Sequence, residues 1–273
     1  MTIHVLVPVH NRADFTRQFL QTLRAQDCEQ SLRIVVVDDG STDHTREVVR
    51  DFDAEIITGD GSWWWAGSIQ RALTAIDEQL RSGDFVYLGN NDTSLAPEHV
   101  TELLRVAETG AATVVGSVSN EIWPDGTINP VSAGFFIDPA QLTVSNAGME
   151  TSTGLDALAG RGVLLPATAA RALHFSPRTR PQHFADLAAT WKLGRSGFSL
   201  QVAMAAVSTQ LERAGSSVEF RPTLASAASK RSSIYLPAMW SFWWAVSTPR
   251  QRASLPARFA ARGIRQVRSG SYA

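Results

Sequence analysis

The chain has 273 residues, 44% of them apolar and 19% charged, with 25 Lys+Arg against 26 Asp+Glu for a net charge of -1. That is enough for one large α/β domain or two small ones, and it excludes a fibre, a small disulfide-built scaffold, a disordered tail and a nucleic-acid coat. A single cysteine, Cys28, leaves no intrachain disulfide and no zinc site built on two thiolates, and points to a reducing compartment, the cytosol by default.

The opening MTIHVLVPVHNR has no basic segment ahead of a long apolar one, so it reads as a strand rather than a signal peptide. Short apolar runs predict strands at Ile3 to Val9, Leu32 to Val37, Glu55 to Thr58, Phe85 to Leu88 and Thr113 to Ser117. Between them, Phe15, Phe19, Leu20 and Leu23 share a helical face, Val48 and Val49 belong to a helix opened by Ser41 or Thr42, and Ile69, Leu73, Ile76 and Leu80 recur at helical spacing. This alternation predicts a Rossmann-like, mostly parallel sheet with helices on both faces. Further on, Val131 to Ile137 reads as a strand, Asn146 to Gly154 as a polar loop, Pro166 to Leu173 as a helix, Asp186 to Leu193 as a helix ending at Gly194, and Leu200 to Val207 as a strand. Ile234 to Val246 is the longest near-apolar run, broken by Pro237 and Ser241 and well short of the roughly 20 residues that cross a bilayer. After Glu219 the chain has no acid but carries Arg221, Lys230, Arg231, Arg250, Arg252, Arg258, Arg262, Arg265 and Arg268.

In such sheets ligands sit beyond the carboxyl ends of the strands, and here those ends are polar: His10-Asn11-Arg12, Asp38-Asp39-Gly40-Ser41, Gly59-Asp60-Gly61-Ser62 and Asn90-Asn91-Asp92. Asp38 and Asp39 are able to accept hydrogen bonds from a base or ribose, or else to complete a capped turn at a helix amino end. Asp92 supplies the oxygen that a hard cation prefers, unless Asn-Asn-Asp is simply a turn. Neither helix nor strand buries three successive indoles on one face, so at least one of Trp63, Trp64 and Trp65 is expected to line a cavity. Gly67 and Ser68 then open a helix carrying Arg71, where backbone donors and a cation would meet a diphosphate.

Val5 to Arg12, VVVDDGSTD at 35–43, GDGSWWWAG at 59–67 and LGNNDTSLAP at 88–97 together resemble the family 2 glycosyltransferases, which have a GT-A fold. Leu158 to Pro166 is similar to that family's strand before the acceptor-side helix, and His183-Phe184-Ala185-Asp186 to the segment supplying its catalytic base. The likeness covers about residues 3–200. It implies an inverting transfer of a sugar, of hexosyltransferase type, from a nucleotide-diphosphate donor to an acceptor hydroxyl. By position, Pro8, His10 and Asn11 would border the nucleotide, Asp39 the base, Asn91 the ribose or phosphate and Asp92 a divalent cation, Mg²⁺ or Mn²⁺. Arg12, Trp65, Gly67, Arg71 and Asn90 join the donor side, Trp64, Arg161 and His183 the acceptor side, and Asp186 would deprotonate the acceptor. With one carboxylate in Asn90-Asn91-Asp92 and no histidine after His183, the metal would be held weakly. Asn-Asn-Asp with a tryptophan-rich third loop resembles rhamnosyltransferase-like branches that use dTDP- or UDP-sugars for bacterial surface glycans.

The expected organisation is a catalytic domain at 1–225, with a nucleotide-sugar half at 1–117 and an acceptor half at 118–225, followed by a basic, aromatic helical extension at 226–273. Trp240, Phe242, Trp243 and Trp244 beside the arginines suit a membrane interface, and equally a helix pair packed on the domain or on a second subunit. The expected location is therefore cytoplasmic, with peripheral contact at the inner face of the membrane as one use of the tail, and nucleic acid is not an expected partner. Two rival readings are a noncatalytic nucleotide-sugar-binding protein and a nucleotidyltransferase; the latter lacks a glycine-rich loop, since Pro8 to Arg12 contains no glycine. GxGxxG and GxxxxGK[ST] are absent, which sets aside dehydrogenases and P-loop proteins.

Overall fold

The computed structural model describes residues 1–110, 112–212 and 224–269, without the side chains of Leu224 and 263–269. Arg221 and Glu219, and the side chains of Arg265 and Arg268, lie outside the described residues. The elements run β1 (Thr2–Val9), α1 (Ala13–Arg24), β2 (Ser31–Asp38), α2 (Thr45–Arg50), β3 (Glu55–Thr58), α3 (Trp64–Ile76), β4 (Phe85–Leu88), β5 (Thr93–Leu95), α4 (His99–Ala107) and β6 (Thr113–Ile122). They continue with β7 (Ile128–Ser132), β8 (Gly134–Asp138), β9 (Thr143–Asn146), β10 (Ala157–Leu158), β11 (Val163–Pro166), α5 (Ala167–Ala172), α6 (Ala185–Arg195), β12 (Ser199–Gln210), α7 (Leu224–Ala228), α8 (Leu236–Val246) and α9 (Pro249–Ser269).

The large sheet has the order β3-β2-β1-β4-β11-β6-β12-β5, with β7 paired to β6 off this path. β3, β2, β1 and β4 are parallel, while β11 runs antiparallel between β4 and β6. Side chains alternate along each strand, so neighbours in sequence feed different cores. Val35, Val37, Leu6 and Leu88 join α3, α5 and α6 in one core, whereas Val36, Val5, Val7 and Tyr87 join α1, α2 and α4 in the other. This two-sided apolar demand is why the first strands read as near-continuous apolar runs. In the second core Tyr87 Oη lies 3.1 Å from His99 Nε2, and burial pushes the His99 pKa down to about 4.

Several expectations need correction. Val131 to Ile137 is not one strand: β7 pairs with β6, β8 turns into a separate β10-β8-β9 sheet, and the chain changes sheets at Ala133, whose N–H goes to Ser117. The segment 158–166 is likewise broken, with Gly162 at φ 74° just before β11. β6 runs past Ser117 to Ile122, and β12 extends to Gln210. α2 opens at Thr45 rather than near Ser41, because Asp43 Oδ1 accepts from the Thr45 N–H at 3.0 Å. α3 opens at Trp64 instead of Gly67; Trp64 itself sits at φ 57°, and the Gly67 N–H is already spent on the Trp63 carbonyl.

α8 and α9 pack back on the preceding α/β unit. Phe242, Trp243 and Val246 of α8 and Leu255 of α9 share a core with Ile137, Leu187 and Ala188, and Phe242 stacks on Phe184 at 4.9 Å.

Candidate active site

At the carboxyl ends of β1 to β3 the loops are bonded to one another. His10 Nδ1 donates to the Asp39 carbonyl at 2.6 Å, the Asn11 N–H donates to Ser41 Oγ at 2.7 Å, and Asn11 Oδ1 accepts from the Thr42 N–H at 2.9 Å. Asn11 and Arg12 both hold positive φ, 60° and 67°, a conformation uncommon for non-glycine residues that this bracing sustains. Pro8 pairs with Val37 in the parallel ladder just below. Asp38 is fully buried, accepts from the Ser41 N–H at 2.9 Å and is salt-bridged to Arg46. Burial alone would raise its carboxyl, but the Ser41 and Arg46 hydrogen bonds outweigh it and hold the group below the usual range.

Asp39 closes this rim from within. Its Oδ1 accepts from the Gly61 N–H at 2.8 Å, and its Oδ2 from the N–H groups of Trp63 and Trp64 at 2.9 and 2.8 Å. The carboxylate therefore caps α3, where backbone donors are orphaned and the helix dipole favours an anion. The capped-turn reading of the two acids holds in a form the sequence pattern does not indicate, since the helix capped lies 24 and 25 residues away. The α3 donors expected for a diphosphate are thus engaged by the protein. Arg71 folds back, its guanidinium 4.0 Å from the centre of the Trp63 ring and near the Gly67 carbonyl. Gly40 is needed here: at φ 74°, an added Cβ would meet the Gly61 nitrogen at 2.7 Å.

Asn90, Asn91 and Asp92 follow β4 and part ways. Asn91 Nδ2 donates to Thr16 Oγ1 at 2.9 Å, tying the loop to α1. Asn90 Oδ1 accepts from the Trp65 indole N–H at 3.0 Å. Asp92 Oδ2 lies 3.7 Å from Arg12, which also reaches Glu212 at 2.9 Å, while Asp92 Oδ1 is buried without a partner.

Across from these loops is a cavity of about 450 Å³ that Trp65, Asn90, Gly160, Arg161, His183 and Asp186 share in lining. Trp65 spans it, with its far ring edge over Gly160: an added Cβ there would lie 2.6 Å from Trp65 and 3.0 Å from Asp186 Cβ. Asp186 Oδ2 accepts from the Gly160 N–H at 2.7 Å and Oδ1 from its neighbour Leu187 at 2.8 Å. Burial raises the carboxyl above the ordinary value, opposed by those two N–H donors and the Arg161 charge. Arg161 Nε is buried without a partner, and His183 Nε2 donates to the Arg231 carbonyl at 3.1 Å.

The cavity gathers Trp65, Asn90, Arg161, His183 and Asp186; Asp92, two residues beyond Asn90, is not among its walls and pairs instead with Arg12. Pro8, His10, Asn11, Asp39, Gly67 and Arg71 are not among its walls, nor is Trp64. β6 contributes residues that sequence reasoning missed, Ser117, Ser119 and Glu121. Their spacing of two is the strand signal for one shared face, legible once β6 is allowed past Ser117. Gln210 of β12 donates to Glu121 at 3.3 Å. A larger, open depression of about 1440 Å³ lies at the opposite edge of the sheet, around His4, Arg33 and Asp84. It sits at the amino ends of the strands; Cys28 lines it, but none of the residues expected on the donor, acceptor or metal side does.

Among the described residues, no three His, Cys, Asp or Glu side chains come together as a metal cluster. The orphaned Asp92 Oδ1 nevertheless fits a hard cation that takes one carboxylate and fills its shell with water and substrate phosphates.

The family described as "Glycosyl transferase family 2" matches residues 4–156. An uncharacterized glycosyltransferase, the MG060 homolog of Mycoplasma pneumoniae, is 26% identical over 118 residues, 40% of this chain and 37% of that protein. Among solved structures, S. aureus TarS superposes with a TM-score of 0.57 at 16% identity, over 78% of this chain and 37% of TarS. TarS 1–349 has also been solved with UDP-GlcNAc. The mannosyltransferase PcManGT from Pyrobaculum calidifontis, solved with GDP-Man and Mn²⁺, superposes with a TM-score of 0.55 at 14% identity, over 96% of this chain and 80% of its own. The chain thus spans little more than a third of the length of the curated relative and of full TarS.

Proposed function

The chain belongs to glycosyl transferase family 2 and has the GT-A fold of its solved neighbours, and from that premise we propose that it moves a sugar, with inversion, from a nucleoside diphosphate donor to an acceptor hydroxyl. The observation that carries this reading is the company Asp186 keeps: a carboxyl raised by burial, fixed by Gly160 and facing Trp65, Asn90 and Arg161 across one cavity. A carboxylate whose pKa is raised by burial is a better proton acceptor than an exposed one, which is what a general base needs. The acceptor O–H gives its proton to Asp186 as the oxygen bonds to the anomeric carbon, and the bond from that carbon to the diphosphate breaks on the opposite face.

The donor rim supplies position. The bonded loops of His10, Asn11 and Asp39 form a stiff ledge for the nucleotide, presenting backbone and ring edges more than free carboxylates. Trp65, held by Asn90, offers a flat face to the sugar and separates donor from acceptor side. Asp92 would hold a divalent cation, which when bound neutralises charge on the departing diphosphate. Arg161 would place a positive charge at the acceptor end.

For the donor we keep the rhamnose-type dTDP- or UDP-sugar suggested by Asn90-Asn91-Asp92 and the tryptophan-rich loop, serving a bacterial surface glycan. The neighbours were solved with UDP-GlcNAc and GDP-Man, so the test spans bases. Thermal shift with dTDP-, UDP- and GDP-sugars, with and without Mn²⁺, should single out one donor; nucleoside diphosphate release should then fall by about 10²- to 10⁴-fold in Asp186→Asn and weaken in Asp92→Ala. If no nucleotide sugar stabilises or is cleaved by the wild type, the reading fails; if Asp186→Asn turns over normally, the base is misassigned.

A further inference from the structure

Helix α8 carries two stripes at the same four-residue spacing. Ala238, Phe242 and Val246 are buried against the catalytic unit, while Leu236, Trp240 and Trp244 on the other side are 49%, 36% and 44% exposed. The outward stripe is ordered: Trp240 and Trp244 stack at 6.2 Å, and Phe259 of α9 meets Trp240 edge-on at 5.6 Å. The helix thus packs inward and still presents indoles to the outside, so the two uses of the tail weighed from the sequence are not exclusive.

Cations bracket this stripe. Lys230 and Arg231 precede it and Arg250 follows it, all exposed, and none of the three makes an ion pair among the described residues. Arg252 reaches back, donating to the Trp244 carbonyl at 2.9 Å with its guanidinium 5.3 Å from the Trp244 ring. No acidic residue follows Glu219 to neutralise them. Indoles flanked by cations are the chemistry of an anionic lipid interface, where the ring sits at headgroup depth and each cation is drawn to the surface. The alternative of a second copy fits poorly. Three partly exposed side chains offer on the order of 200–300 Å² of apolar surface, against roughly 800 Å² per partner in a standard interface, and two such basic faces would repel.

The stripe also begins at the cavity mouth. Ser233 lines the cavity, the Arg231 carbonyl holds His183, and Leu236 comes three residues after Ser233. Fully extended, that link spans about 10 Å. We propose that Leu236, Trp240 and Trp244, with Lys230, Arg231, Arg250 and Arg252, seat the protein on an anionic bilayer surface and turn the Asp186 cavity toward an acceptor borne by lipid. The bilayer contact stands on this surface alone; the lipid-borne acceptor rests on the sugar-transfer reading.

The test is co-sedimentation of the full chain with phosphatidylcholine vesicles containing about one third phosphatidylglycerol, against phosphatidylcholine alone, across a salt series. Binding should require the anionic lipid and weaken as salt rises. Trp240→Ser with Trp244→Ser should cut the partition coefficient by more than tenfold. Lys230→Glu with Arg250→Glu, which breaks no ion pair among the described residues, should do the same while leaving donor cleavage and the melting temperature unchanged. The proposal is overturned if the wild type does not bind the anionic vesicles, if neither double variant alters binding, or if the tryptophan pair instead abolishes a concentration-dependent dimer. Vesicle binding by a protein that cleaves no nucleotide sugar would support the docking surface and sink the transfer reading, so the two fail separately.

Discussion

On the rim formed by the loops after β1, β2 and β3, His10, Asn11, Asp38 and Asp39 each bond to another protein group. On the cavity wall the pattern differs: Arg161 Nε and Ser119 Oγ are buried without partners, as is Asp92 Oδ1 in the loop after β4, and Asp186 has a raised carboxyl. Buried polar atoms without partners are rare in folded proteins because each costs about 1–3 kcal/mol. On the rim the polar groups are spent on holding shape, while the cavity wall keeps two polar atoms unspent; Ser68 Oγ and Trp243 Nε1, away from the cavity, are also buried without partners, so it is the cavity lining together with the free atom that marks a surface available to substrate.

That division can be broken by mutation, and the largest stability effect should fall on the scaffold side. Asp39→Ala removes a buried acceptor of three N–H bonds at the start of α3 and should cost about 3 kcal/mol or more in urea unfolding. A neutral result would mean that Asp39 is free for a ligand after all. Gly160→Ala comes next: its Cβ would press on Trp65 and Asp186, so a loss of roughly 1–3 kcal/mol is expected, with reduced turnover. Wild-type stability with normal turnover would show that Trp65 is not wedged there. Trp65→Phe keeps most of the apolar volume but drops the hydrogen bond to Asn90, a change of about 1 kcal/mol, and should act more on donor KM than on the melting temperature.

The pH dependence sharpens the comparison by sign. Asp186 has a higher pKa folded than unfolded, so the native state binds the extra proton between the ordinary value and the raised one. Stability from this group is therefore full below the unfolded pKa and falls as pH rises through that window; Asp38, held low, contributes in the opposite sense and is lost only as pH falls. Urea midpoints of Asp186→Asn across the same pH range should lack the wild-type decline, and the acid limb of wild-type kcat/KM should sit above the ordinary carboxylate range. An unchanged pH–stability difference would place Asp186 in contact with solvent.

Much of the scaffold was legible because strands buried on both faces write themselves as apolar runs, as in Ile3 to Val9 and Leu32 to Val37. Asp186, Trp65 and Asn90 were also within reach of sequence, each at an element boundary. What stayed hidden depended on contacts distant along the chain. Asp39 looked like a ligand group because its partners, the Trp63 and Trp64 N–H groups, become donors only once α3 starts at Trp64. The break at Ala133 follows from sheet pairing rather than local propensity, and shortening β6 at Ser117 concealed the Ser119 and Glu121 wall. β5, three residues long, has too little pattern to show a period.

The most direct test of the account is Asp186→Asn examined for nucleoside diphosphate release and urea unfolding in the same preparation. The account predicts turnover at or below about one hundredth of wild type, with cooperative unfolding retained, since the amide oxygen can keep one of the two N–H bonds that the carboxylate accepts from Gly160 and Leu187. Full turnover, or a loss of turnover matched by collapse of the fold, would contradict it.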